Sequence, residues 1–352
     1  MSGRARRRVL TASVLLVATG FVAGAWGTER ELEQREAALG RELFFDKRMS
    51  KDGKVACTTC HRPERAYSGP IAMPTGVYGR KMTRNPVSLG DEARPKHLLW
   101  DGRSDDLEAV AFGAFLVPEE FGNESAEEVV ELVVKNHSGA FEEAFPKAPV
   151  TASRIGRALT TFLRSLHADD SPFDRFQAGD TRALSDSQRR GYKIFVGPGD
   201  CSRCHVIEPS HATFSDGQAH WGDISMELKP KLPQLAEEMA KLDERARMSA
   251  MATRPEVSAL GRYLVSLAPE DIGRFVTPNL RNVALTAPYM HDGNVQTLGE
   301  AVEREVYYRA RENTTLGKLT PTERADIVAF LESLTSHSMT EHFSETNIGP
   351  KP

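Results

Sequence analysis

Apolar side chains along this chain recur at the spacing of helices rather than in the alternating pattern of strands. Helices are predicted over residues 29–45, 126–136, 152–166, 185–195 and 321–334. Ser185 and Thr320 stand at N-cap positions, and Glu323 completes a capping box after Thr320. Gly and Pro are scattered through long predicted loops at residues 68–105 and 197–225. The pattern therefore predicts a mainly α protein with long irregular segments.

One charged, helix-prone stretch stands apart, at residues 226–254, and contains Met239, Met248 and Met251. We interpret it as an inserted helix pair whose methionines fill a packing face, because Met adapts to irregular gaps. A copper-binding or partner-docking role is the alternative.

The first residues have the layout of an export signal. Four arginines between positions 4 and 8 precede an apolar stretch at 9–25, which ends in the small residues Ala23-Gly24-Ala25. We interpret residues 1–25 as a secretory signal peptide and expect an exported protein. The alternative is an uncleaved anchor, which alone would bring the protein to a membrane.

Composition narrows the function classes. The chain has 352 residues, of which 40% are hydrophobic and 27% charged, as in a soluble globular protein of one large or two ordinary domains. The net charge of −4 becomes −8 when the four signal arginines are removed (−4 minus 4). An acidic protein of this kind is not expected to bind nucleic acid, which favours a basic face.

The chain has four cysteines, and all lie in two Cys-x-x-Cys-His motifs, Cys57–His61 and Cys201–His205. In such motifs both thiols bond to the heme vinyl groups and the histidine ligates the iron. Two disulfides or a zinc site are the alternatives. The repeated histidine, with no cysteine left over, favours two covalent c-type hemes.

These heme-binding residues are Cys57, Cys60, His61, Cys201, Cys204 and His205. The segments before the two motifs, "RELFFDKRMSKDGKVACTTCH" and "RRGYKIFVGPGDCSRCH", look like one unit used twice. We therefore predict two cytochrome c-like domains at residues 26–180 and 181–352, each with a heme between its helices.

Three further sequence segments bear on the fold and function: "TRNPVSL", "LLWDGRSDDLE" and "FVTPNLRNVALTAPYMHDGNVQTLGEAV". With the two heme motifs they make the chain similar to the bacterial diheme cytochrome c peroxidase and MauG family over nearly its whole mature length. The resemblance implies a periplasmic enzyme that reacts with hydrogen peroxide. The heme on His61 would be the peroxide-reacting one, and that on His205 the electron-transfer heme.

The resemblance also implies roles for individual residues. Trp100 would lie between the hemes, and Glu120 would stand over the reactive iron, where a carboxylate can move a proton between the oxygens of peroxide. A calcium ion between the domains would take the side chain of Asn85 and the backbone carbonyls of Thr286 and Pro288. The alternative roles are a core aromatic for Trp100, a solvated acid for Glu120 and a turn residue for Asn85.

Departures from the family pattern indicate the subclass. Many members close the first heme with a second histidine, but residues 62–96 contain none, and only Met73 and Met82 could replace it. An open first heme, as in MauG-type enzymes, is the simplest expectation. Val110 and Ala114 also stand where that type has Gln and Pro, so the hydrogen bonds around the first heme are expected to differ.

The second heme departs as well, because no Met lies between Met290 and Met339. The segment "EAVEREVYYRA" instead offers a tyrosine ligand, Tyr307 by the resemblance, with Tyr308 and Met290 as alternatives.

Two functions follow from the resemblance. One is a MauG-like enzyme, similar to methanobactin-associated members, which forms a high-valent diheme state with peroxide and oxidises a Trp or Tyr of a partner protein. The other is a peroxidase that takes electrons from a small cytochrome or copper protein. A non-enzymatic electron carrier is disfavoured, since the first heme lacks an evident second ligand.

Overall fold

The computed structural model describes residues 22–89, 97–166, 168–209, 212–310 and 314–339. The predicted signal peptide therefore lies almost entirely outside the described residues. Within the described ranges, no helix is both long and apolar enough to cross a lipid bilayer.

The described chain is mainly helical, as the hydrophobic pattern predicts. Its α-helices are α1 (Val22–Phe45), α2 (Cys57–Cys60), α3 (Leu107–Gly113), α4 (Ala126–Ala144), α5 (Ala152–Arg164), α6 (Pro172–Gln177), α7 (Asp186–Val196), α8 (Leu232–Ala240), α9 (Glu244–Thr253), α10 (Pro255–Ser258), α11 (Tyr263–Ser266), α12 (Leu298–Arg309) and α13 (Pro321–Glu332). Strands β1 (Ala219–Trp221) and β2 (Arg274–Val276) pair antiparallel, with His220 opposite Phe275.

The first half of the chain folds around the helix pair α1 and α5, with α3 and α4 packed alongside. Leu43 and Phe44 of α1 and Leu159 of α5 are buried in this first core. The two helices cross at Gly40, where an added Cβ would lie 2.0 Å from the carbonyl oxygen of Ala158. The crossing therefore requires a residue without a side chain.

The second half repeats this construction with α7 and α13, and α12 packs on α13. Here the crossing residue is Gly191, and an added Cβ would lie 1.8 Å from the carbonyl oxygen of Asp326. In both halves the glycine-bearing helix leads into a Cys-x-x-Cys-His motif. This shared construction supports the predicted duplication, while the limit between residues 180 and 181 stays a prediction.

A third core joins α8, α9, α10 and α11 to the strand pair. Met239 and Met251 are buried in it, and Trp100 packs against it. The structure thus agrees with the packing interpretation of the methionines in residues 226–254.

Five long helices match the predicted segments, and the predicted caps are present. The side chains of Ser185 and Thr320 accept hydrogen bonds from the third residue of their helices, Gln188 and Glu323.

The predicted end of α4 at residue 136 is wrong, because the helix continues to Ala144. Its backbone kinks at His137 (φ −135°), whose buried ring bonds to Asp46 at 2.7 Å and to Glu42 at 3.2 Å. Hydrogen bonds from His137 to residues of the first helix region thus hold α4 together where its backbone kinks.

Candidate functional site

Each Cys-x-x-Cys-His motif forms one helical turn. The backbone N–H of His61 donates to the carbonyl of Cys57 at 2.8 Å, and that of His205 donates to the carbonyl of Cys201 at 2.9 Å. The turn brings the two thiols and the imidazole of each motif together. All four cysteines are unpaired in the structure, so the alternative of two disulfides finds no support.

Both motif histidines are oriented by the same kind of contact. The Nδ1 atom of His61 bonds to the carbonyl of Tyr67 at 2.9 Å, and that of His205 to the carbonyl of Phe214 at 2.7 Å. Tyr67 and Phe214 both have left-handed backbones, with φ of 55° and 53°, which an ordinary residue adopts only where the surroundings enforce it. Nδ1 thus carries the proton and Nε2 remains available to iron.

Burial keeps these imidazoles neutral, because it lowers the pKa of both His61 and His205. Burial also raises the pKa of the Cys60 and Cys201 thiols to about 12. A neutral imidazole is the form that ligates a metal. The two motifs therefore fit a covalently held heme, with His61 and His205 as iron ligands.

A cavity of about 790 Å³ surrounds the second motif, and we call it the second cavity. Its volume lies within the usual range for cofactor sites. Its walls include Cys201, Cys204 and His205 of the motif, one face of α12, and Trp100 from the first half of the chain. The wall areas are mainly apolar, which suits a porphyrin.

Glu120 lies beside the first motif, since its carboxylate helps to raise the pKa of the Cys60 thiol, after burial itself. The backbone around it is fixed: the N–H of Val77 donates to its carbonyl at 2.9 Å. Gly76 lets this turn approach, because an added Cβ would lie 1.9 Å from the carbonyl oxygen of Glu119.

The carboxyl group of Glu120 is poised to exchange a proton near neutrality. Burial raises its pKa to about 7, the Glu119 carboxylate adds to this rise, and the Arg103 guanidinium opposes it. An acid of this pKa beside a reactive metal can accept a proton and return it. Glu120 therefore lies near the first motif, and its place over an iron stays a prediction.

Trp100 is held in place at both its ring and its backbone. Its Nε1–H donates to the carbonyl of Asn85 at 2.8 Å, and its own carbonyl accepts from the N–H of Val276 at 2.9 Å. The next residue, Asp101, is buried between Arg84 (2.6 Å) and Arg103 (2.8 Å). A fixed, oxidisable ring therefore borders the second cavity from the first half of the chain.

Two of the three predicted calcium ligands, Asn85 and Pro288, are in direct contact. The Nδ2 of Asn85 donates to the carbonyl of Pro288 at 2.6 Å and to that of Met290 at 3.1 Å. Its Oδ1 is buried and accepts no hydrogen bond from any described residue. Thr286 lines the same cavity as Pro288. An orphaned oxygen next to backbone carbonyls is the type of donor set that Ca²⁺ prefers, once the amide is turned to present Oδ1.

Tyr307, the predicted ligand of the second iron, lies on the wrong side of α12. The cavity-facing residues of α12 are Leu298, Ala301, Val302, Glu305, Val306 and Arg309. Tyr307 follows Glu305 by two residues, about 200° around the helix. Its ring is 65% exposed and packs on Tyr308 with centroids 5.3 Å apart.

The two alternative ligands differ in position. Tyr308 does not line the cavity. Its ring lies 4.6 Å from the Nζ atom of Lys229. Burial and then the nearby Asp223 carboxylate raise the pKa of its hydroxyl to about 12. Met290 does line the cavity.

Two residues at the second cavity escaped sequence reasoning. Glu305 belongs to the i, i+3, i+4 stripe of α12, and helical phase starting from Leu298 would have found it. Trp221 lines the cavity and is also 48% exposed, which only tertiary structure reveals.

Comparisons with known proteins show the family of this chain. Residues 34–182 match the family model described as "Di-haem cytochrome c peroxidase". The chain is 30% identical to cytochrome-c peroxidase IdrP2 of Denitromonas iodatirespirans, over 94% of this chain and 93% of that protein. It is 32% identical to methylamine utilization protein MauG of Methylorubrum extorquens, over 86% of this chain and 79% of that one.

Among solved structures, the fold matches a MauG-like protein associated with microbial copper homeostasis. The TM-score is 0.71 at 27% identity, and the match covers 87% of this chain and 91% of that one. The relatives thus include both peroxidases and MauG proteins.

Separate removal of each thiol pair tests the assignment of the motifs. Changing both Cys57 and Cys60 to Ala should halve the covalently bound heme per chain, and the Cys201→Ala/Cys204→Ala variant should do the same, because each motif is expected to hold one heme. Heme is measured by the pyridine hemochrome spectrum against protein mass. Unchanged heme content in either variant would contradict the assignment.

Proposed function

Because this chain belongs to the di-heme cytochrome c peroxidase family, we propose that it is a periplasmic enzyme that uses hydrogen peroxide to oxidise a Trp or Tyr side chain of a partner protein by long-range electron transfer. Family membership makes the chain a heme-dependent oxidoreductase with two c-type hemes. In our proposal Cys57, Cys60 and His61 hold the first heme, and the second motif holds the other. When bound, the hemes supply the redox chemistry, passing two electrons from a reductant to peroxide.

Glu120 beside the first motif is the observation that carries the proposal. Cleavage of peroxide to water requires a proton to move from the inner to the outer oxygen. With a pKa of about 7, Glu120 can take that proton as a carboxylate and return it as an acid. Its fixed turn, closed by the hydrogen bond from Val77, keeps the carboxyl group beside the motif.

Trp100 and Trp221 offer a route for electrons from the surface. Trp100 belongs to the first half of the chain and lines the second cavity. Trp221 lines the same cavity and is also exposed to solvent. Indole rings can be oxidised, so electrons from a docked partner could enter at Trp221. A substrate that stays outside the cavity then needs no contact with a heme.

The second candidate function is peroxide removal with electrons from a small cytochrome or copper protein. The similarity to cytochrome-c peroxidase IdrP2 over nearly the full length of both chains favours it. Fold alone does not separate the two functions, because one fold hosts both.

Calcium completes the proposed site. We propose that Asn85 binds it through Oδ1, together with the backbone carbonyls of Thr286 and Pro288, since Oδ1 is buried without a partner among the described residues. All three ligands are hard oxygen donors, as Ca²⁺ requires.

Replacing Glu120 with Gln should slow the reaction with peroxide roughly hundredfold, within the range of general acid–base catalysis. The carboxylate is the form that accepts the proton, so the wild-type rate should rise as the pH passes upward through about 7. The rate for Glu120→Gln should not change there. Stopped-flow spectra give both rates.

Glu119→Gln is the matched control, because it removes the neighbouring carboxylate and keeps the Glu120 carboxyl group. It should retain the pH-dependent rise, shifted slightly to lower pH, since Glu119 raises the pKa of Glu120. Equal rates for wild type and Glu120→Gln would remove Glu120 from the mechanism.

Trp221→Phe should leave the reaction with peroxide unchanged but slow the return of the oxidised protein to its starting state by N-acetyltryptophanamide, a soluble mimic of a partner side chain. The control is Tyr307→Phe, which alters a more exposed ring that does not line the cavity. The as-isolated oxidised protein is mixed with one equivalent of peroxide and then with the mimic. If nothing reacts until the protein is first reduced, the second candidate function is the better account.

A calcium-selective chelator should lower the thermal midpoint of the holoprotein, because an ion at about 100 times its Kd stabilises the fold by about 2.7 kcal/mol. Asn85→Ala should abolish this response. The control Asn123→Ala removes another buried amide, in contact with the carbonyls of Met49 and Phe115, and should keep the response. A wild-type midpoint that ignores the chelator would rule out the ion.

A further inference from the structure

The face of α12 that lines the second cavity contains one residue able to bind iron. Leu298, Ala301, Val302 and Val306 of that face are aliphatic, and the guanidinium of Arg309 is a hydrogen-bond donor with no lone pair to offer a metal. The remaining residue is Glu305, whose carboxylate has lone pairs to donate. Helical spacing places it in the middle of the stripe.

The side chain of Glu305 shares one cavity with the second motif. Cys201, Cys204 and His205 line that cavity, and Glu305 lines it from α12. A heme attached to the two thiols would fill this cavity, so Glu305 belongs to the wall that faces it.

One oxygen of Glu305 is anchored and the other is available. Its Oε2 lies 3.2 Å from the Nε of Arg309, which in turn donates through Nη2 to the carbonyl of Trp221 at 3.1 Å. The hydrogen bonds of this carboxylate to described residues involve Oε2 alone. The side chain is 44% exposed, so the ion pair biases its direction and leaves Oε1 for a metal.

We propose that Glu305 is the second axial ligand of the iron held by His205. This inference rests on the binding of a heme at the second motif, which is part of the proposed function. It replaces Tyr307, whose ring points away from the cavity, with a side chain two residues earlier on the facing side of the same helix.

The two alternative ligands that the sequence offered are placed differently from Glu305. Tyr308 does not line the cavity, and its ring lies 4.6 Å from the Nζ of Lys229. Met290 does line the cavity, but it also packs against the second core. Glu305 is the residue of the α12 stripe that combines a place in the cavity wall with a donor oxygen.

A carboxylate would give this iron a distinct character. It is a hard, anionic ligand, which favours the ferric state and lowers the reduction potential relative to a thioether ligand. It is also a weak-field ligand, so a ferric iron with His and carboxylate ligands should be high-spin. A second heme of this type is suited to hold an oxidising equivalent for a distant reductant.

Spectra and potentials of the oxidised holoprotein test the inference without peroxide or a partner. Glu305→Met should introduce a thioether–iron charge-transfer band in the near infrared, a low-spin electron paramagnetic resonance signal and a higher potential for one heme. Glu305→Gln should raise that potential without the thioether band. Signals of the heme on His61 should stay as in the wild type and serve as the internal reference.

Three further variants separate ligation from packing. Arg309→Gln breaks the ion pair but keeps the carboxylate, so the spin state should be retained. Tyr307→Phe should have no effect on the spectra. Met290→Leu should also leave them unchanged; loss of a thioether band in that variant would assign the ligand to Met290 and overturn the inference.

The inference and the proposed function fail in different ways. If the protein holds a heme at each motif but the Glu305 variants match the wild type in spectrum and potential, Glu305 is not a ligand and the proposed function stands. If no heme is bound at Cys201 and Cys204, both fail.

Discussion

The arrangement of the whole site depends on the hydrogen bonds made by one buried residue, Asn85. Its N–H donates to the carbonyl of His291 at 2.9 Å, its carbonyl accepts from Trp100 at 2.8 Å, and its side chain reaches Pro288. Asn85 and Trp100 come from the first half of the chain, whereas Pro288 and His291 come from the second. These bonds therefore fix the indole ring at the wall of the second cavity. The bond to Pro288 is buried, so losing it would leave a polar group unpaired, at a cost of about 1–3 kcal/mol.

Nearby charges give two buried acids, Asp101 and Glu120, opposite shifts in pKa. Asp101 is buried, which alone would raise its pKa, but Arg84 and Arg103 surround it and hold its pKa below the usual value. Glu120 is influenced by Arg103 at longer range and by the like charge of Glu119, so burial prevails and its pKa rises to about 7. The first acid is thus a permanent anion that secures the backbone next to Trp100. The second can change its protonation state, which is what chemistry on peroxide needs.

Local signals predicted most of the helices but not their tertiary surroundings. Ser185 and Thr320 predict the starts of their helices, because a cap is a contact between residues three positions apart. The repeated Cys-x-x-Cys-His motif predicts the heme sites because it too is a short stretch of sequence. The continuation of α4 past residue 136 could not be read locally, since it depends on Asp46 and Glu42, which are distant in sequence. The family pattern favours Tyr307 by residue type, but the structure places Tyr307 outside the second cavity. Helical phase counted from Leu298 brings Glu305 to the cavity wall instead, whereas the exposure of Trp221 depends on the complete fold.

Arg309 gives the second site a connection to the outside that neither end has alone. One nitrogen of its guanidinium pairs with Glu305 inside the cavity wall, and another holds the carbonyl of Trp221 at the surface. If Glu305 ligates the second iron as we propose, a protein that docks on Trp221 and draws this guanidinium away would leave the carboxylate a stronger donor. The reduction potential of that heme would then change on docking, while its ligands and its spin state stay the same.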